Sequence, residues 1–208
     1  AALGTIPIAG AVVGIGAAAA KALVGAFQDG LAQEKGRDRL QALTGIDEPA
    51  TRRLASAAAE AYSRGFGESI EQNMDAVRAG VQFDLIDADA STRASQKVVE
   101  GLAGIADVLG EDVQPVARTV TTMLRAGIVD SADEAFDVLA TGAREGVNVA
   151  EDLLDTFDEY SPLFARLGLQ GPEALGLMSQ ALDGGARDAD KAADALKEFQ
   201  IRATDGSK

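Results

Sequence analysis

The sequence predicts an all-α fold: an apolar Gly/Ala-rich helix, then long helices, then a C-terminal array of short helical hairpins. Three observations carry this expectation. Apolar residues make up 47% of the chain but aromatic residues only 4%, so Ala, Val and Leu supply most of the apolar surface. Only five prolines interrupt 208 residues, and Ala has the strongest intrinsic preference for helix. Apolar residues recur at steps of three and four, the spacing of one helix face. A core of such short side chains requires close approach between helices.

Residues 1–30 form the first expected unit. Stretch 1–27 reads AALGTIPIAGAVVGIGAAAAKALVGAF, with Lys21 as its one charge. The length suits a bilayer crossing, and no basic stretch precedes it as in a signal peptide. Gly10, Gly14, Ala18, Ala22 and Ala26 recur at every fourth position. On a helix they make a groove of small residues suited to self-association, in a membrane or inside a protein assembly.

Residues 31–90 read as long amphipathic helices. Thr44-Gly45-Ile46-Asp47-Glu48-Pro49 marks a stop and a restart. Leu54, Ala58, Tyr62, Phe66, Ile70, Met74, Val77 and Val81 then form one stripe, predicting a single helix of about 30 residues and roughly 45 Å. Gly65 and Gly67 weaken its middle. Residues 82–92 are expected to connect it to the next helix.

Residues 91–208 read as a helical-hairpin region. One helix carries Val98, Leu102, Ile105 and Leu109 on a face and ends at Gly110; the next carries Val113, Val116, Val120, Met123 and Leu124 and ends at Gly127. Segment 134–160 then aligns without gaps with 173–199, matching Glu134 to Glu173, Gly146 to Gly185, Phe157 to Leu196 and Tyr160 to Phe199. Each copy predicts a helix, a Gly-centred turn and a second helix. Ser131 and Glu134 form a capping box for the first copy, and Pro172 opens the second. Leu153, Leu154, Phe157, Leu175, Leu196 and Phe199 are expected to pack the repeats into a small α-solenoid or bundle.

Composition excludes several chemistries. The chain has neither Cys nor His, which removes disulfides, Cys/His zinc sites and His-dependent nucleophiles. Its net charge is −14, which opposes sequence-specific nucleic-acid binding. Gly14-Ile-Gly16-Ala-Ala-Ala19 spells a dinucleotide fingerprint, but no strand flanks it. Asp84, Asp87 and Asp89, and Asp183, Asp188 and Asp190, lack calcium-loop spacing and read as turn or helix-start residues. Ten acids against Arg144 alone in 130–160 read as a solvated face. No catalytic, cofactor-binding or metal residue is expected, and the chain is not expected to be an enzyme. It opens at Ala1 without Met and is read as a stretch of something longer.

Glu173-Ala-Leu-Gly-Leu-Met-Ser-Gln180 and the run from Gly184 to Arg202, with Asp152-Leu-Leu-Asp-Thr-Phe157 and Arg166-Leu-Gly-Leu169 before them, resemble the tape measure proteins of long-tailed phages of high-GC hosts. The resemblance spans most of 95–202, and 1–30 agree in character. It implies a virion protein that fills the tail tube or tip as parallel copies, commonly three. It implies contact with tail tube and tip or baseplate proteins, and with the host membrane during genome ejection. It implies a part in tail length. Two other readings fit the residues: a membrane-pore or effector protein, and a helical adaptor domain binding another protein.

Overall fold

The computed structural model describes residue 30 and residues 34–205. The apolar stretch 1–27, with Gly10, Gly14, Ala18, Ala22 and Ala26, lies outside the described residues. Among the described residues every regular element is a helix: α1 (34–44), α2 (Glu48–Ser63), α3 (Ile70–Gln82), α4 (Thr92–Leu109), α5 (Val113–Ala126), α6 (Ala132–Arg144), α7 (Leu153–Arg166), α8 (Gly171–Asp183) and α9 (Ala189–Asp205). The all-α expectation holds.

Local signals set most boundaries. Gly45 takes φ +68 after α1. Asp47 then caps α2, its carboxylate accepting from the Ala50 N–H at 2.8 Å. Ser91 caps α4 and Ser131 caps α6 in the same way. Gly110 and Gly127 end α4 and α5 in the left-handed conformation, which costs a residue without Cβ nothing. The capping box of α6 is displaced by one residue. Ser131 accepts from Glu134 N–H, but the Glu134 carboxylate reaches back to the N–H of Asp130 at 2.8 Å.

One expectation is corrected. The stripe from Leu54 to Val81 does not lie on a single helix. α2 stops at Ser63 and α3 begins at Ile70. Between them Gly65 takes φ +89 and Gly67 φ +75, a region closed to most side chains. Ser69 restarts the helix by accepting from Gln72 N–H at 3.1 Å. Tyr62 and Phe66, placed in the stripe's centre by spacing, are 36% and 37% exposed.

The helices stack as hairpins in two layers. Helices α2, α4, α6 and α8 form one layer and α3, α5, α7 and α9 the other. Each packs on its hairpin partner and on the helix two places along the chain, the pattern of an α-solenoid. One continuous cluster of buried apolar residues runs from Leu40 in α1 to Ala193 in α9. Alanines line much of it. Ala55, Ala57, Ala58 and Ala61 of α2 are buried, which brings the α2 backbone close to its neighbours.

The repeat is regular in space. Helices α6 and α8 both have 13 residues and start 39 apart. The turns after them open with the same bonds. Gly146 donates to Ala143 and Val147 to Gly142, as Gly185 donates to Leu182 and Ala186 to Ala181. The repeat also reaches one hairpin further back than residue identity shows. Helices α5 and α7 both have 14 residues and start 40 apart. Val113, Val116, Ala117, Val120, Thr121 and Met123 are buried in α5; so are Leu153, Thr156, Phe157, Tyr160, Ser161 and Leu163 in α7.

Candidate functional site

The features that bear on function are the contact surface between successive hairpins, the exposed edge of α8–α9, and the exposed acids of 130–160. The contact surface is built by the period itself. Gly142 of α6 lies so close to α8 and α7 that a Cβ there would meet Leu153 Cδ2 at 2.8 Å and Leu175 Cδ1 at 3.0 Å. Gly171 opens α8 against Val129 and Val138, and its N–H donates to the Ile128 carbonyl at 2.6 Å. Within α7 of the second layer Phe157 meets Phe164 edge to face, with ring centroids 5.9 Å apart.

Tyr160 ties α7 to α9. Its hydroxyl donates to Asp194 at 2.7 Å, with Asp190 at 3.3 Å. Lys197 Nζ sits 5.5 Å from its ring centroid, within cation–π range. Burial, the Asp194 bond and the surrounding carboxylates push the Tyr160 phenol well above its ordinary range. Hydrogen bonds from Lys191 and then from Tyr160 hold the Asp194 carboxyl below its ordinary range. Asp188 starts α9, accepting from Lys191 N–H at 2.8 Å. Asp152 accepts from Asp190 N–H at 2.9 Å. These carboxylates therefore serve helix starts and helix contacts. Among the described residues no group of three or more acids is placed to hold a metal ion.

The six residues expected to pack the repeats divide in two. Leu153, Leu154, Phe157 and Leu175 are buried. Leu196 is partly buried against the core, whereas Phe199 is 65% exposed. Tyr160, matched to Phe199 by the repeat, is buried in the same surface, as are Val138, Leu163 and Phe164, of which the last two carried no sequence signal. Sequence reasoning passed over Gly142 and Gly171, whose constant 39-residue relations to Ala181 and to Ala132 were the available signal.

Most acids of 130–160 are exposed, those of α6 in one layer and those of α7 in the other. Asp130, Asp133, Asp137, Glu145, Glu151, Asp155 and Glu159 are exposed. Of the rest, Asp158 accepts from the Thr122 hydroxyl at 2.6 Å. Glu134, Asp137 and Glu145 rim a shallow groove between α6 and α8 floored by Val138 and Leu175. Among the described residues no helix is long and apolar enough to cross a membrane, and the expected transmembrane segment falls in 1–27.

Comparison with known proteins agrees with the resemblance seen in the sequence. A stretch of 102 residues is 43% identical to the probable tape measure protein of Streptomyces phage phiC31. That stretch covers 49% of this chain and 14% of the phage protein. No solved structure matches the chain. Residues 56–208, from the middle of α2 through all the later hairpins, match the family of phage-related minor tail proteins. The chain belongs to that family.

Proposed function

We propose that the solenoid is a spacing element of a tape measure protein, in which each hairpin adds a fixed increment of length. The supporting observation is the near-regular period: α4, α6 and α8 start 40 and then 39 residues apart, and the turns after α6 and α8 open with the same bonds. Neighbouring packed helices lie about 8–10 Å apart, so a stacked hairpin adds roughly that distance. A single continuous helix of the same 39 residues would add about 59 Å. Both states convert residue number into length, and they differ about sixfold in the conversion.

In this reading the protein occupies the virion tail, in its lumen or tip. Three parallel copies contact tail tube and tip or baseplate proteins. The groove of Gly10, Gly14, Ala18, Ala22 and Ala26 brings copies together and lets stretch 1–27 enter the host membrane during ejection. The exposed acids of 130–160 keep the protein from adhering to DNA and favour release. No reaction is assigned to this segment.

Deleting residues 132–170 from the phage that carries this chain tests the spacing. The deletion removes one period and leaves Ser131 to start the next helix. Tails imaged by electron microscopy should shorten by roughly 10 Å if the segment is stacked in the tail, and by about 59 Å if it is a continuous helix there. Unchanged tails would exclude a spacing role.

A further inference from the structure

Among the described residues no hairpin packs over the outer edge of α8–α9. Positions that the following hairpin covers in α6–α7 stand bare in α8–α9. Val138 is 4% exposed and lies against Gly171 of the next hairpin; its counterpart Leu177 is 37% exposed. Tyr160 is 4% exposed beneath Asp194 and Lys197; its counterpart Phe199 is 65% exposed. Leu163 and Phe164 are buried, whereas their counterparts Arg202 and Ala203 are exposed. The bare residues share one edge, and α8–α9 itself covers the equivalent edge one period earlier.

We propose that this edge is the docking surface for one further helical hairpin of the same type, continuing the period. The established packing specifies the occupant. Its first helix opens on a small residue over Leu177, as Gly171 does over Val138. It sets a branched apolar side chain near Ala181, as Leu175 is set near Gly142. Its second helix crosses Phe199. That ring lacks the hydroxyl that binds Asp194 in the earlier unit, so the crossing helix lays an alkyl stem or a cation on it. The inference stands on the repeat geometry and does not depend on the role in the tail.

A tandem extension tests it. The full chain through Asp205 is followed by a second copy of 167–205, which places the added Gly171 one period on. A lone hairpin of small residues has no core of its own, so it folds only by docking. The expected result is protease resistance of the added hairpin, a higher denaturation midpoint and slowed amide exchange through 189–205. Phe199→Asp in the inner unit should abolish all three while leaving the midpoint of the unextended chain unchanged. A nicked, unprotected extension with an unshifted midpoint would overturn the proposal. A Phe199→Asp loss of equal size in both chains would overturn it too, making Phe199 part of the core. So would an unextended chain that dimerises and becomes monomeric on Phe199→Asp, since the edge then pairs with a second copy.

Discussion

Phe136 of α6 fills the space beside Gly101 of α4, and its ring lies where a side chain on Gly101 would stand. The two helices belong to successive hairpins of one layer, so this contact sets how closely the hairpins stack. Gly101→Ala should drive a methyl into the ring and destabilise the protein by about 1–3 kcal/mol despite its gain in helix preference. Gly176 of α8 has open space around it. Gly176→Ala should stabilise by roughly 0.5–1 kcal/mol. Urea midpoints of the two variants should move in opposite directions.

Asn73 is fully buried, and its amide donates to the carbonyls of Phe66 at 2.9 Å and Ala58 at 3.3 Å. It holds the turn that breaks α2 from α3. Asn73→Ala leaves both carbonyls without that donor and should cost about 1–3 kcal/mol. Hydrogen exchange should show the loss concentrated at 64–69, with smaller effects in α6–α9.

That break explains why the sequence was hard to read here. Leu54, Ala58 and Tyr62 keep helical phase with Ile70, Met74 and Val77, because α2 and α3 both present apolar faces to α4. Periodicity alone does not distinguish one long helix from two packed ones; the paired glycines at 65 and 67 carry the information. The hairpins of α6–α9 were legible because identities repeat at a fixed offset. The helices α4 and α5 and their glycine ends were legible too, but not as a further copy of the repeat, because Ala117 corresponds to Phe157 and Val120 to Tyr160: the buried pattern is retained while side-chain volume changes. The bareness of Phe199 is not encoded in its neighbours, since covering an end depends on what packs beyond it.

Phe157 is completely buried where α7 meets its neighbours. Phe157→Ala should cost about 3–5 kcal/mol, and thermal unfolding should register most of a mesophilic domain's stability margin as lost. An unchanged melting temperature would mean that α7 is not packed as described.

The α7–α9 contact should depend on pH at both extremes. Asp194 and Asp188 are held below the ordinary carboxylate range. Their contribution is present above the unfolded carboxylate value near 4 and fades as pH falls through the lower folded values. Tyr160 is raised from 10.0, so its contribution is present below that value and fades as pH rises above it. Asp194→Asn should flatten the acid side of a melting-temperature profile, and Tyr160→Phe the alkaline side.

The helices form a folded two-layer stack, and solution X-ray scattering separates that state from an extended one. A compact chain of this length has a radius of gyration of about 17 Å, and a short stack should lie near that value. Helices 34–205 joined as one extended rod would give roughly 70 Å. A value close to the first is the predicted result; a value approaching the second would contradict the stack.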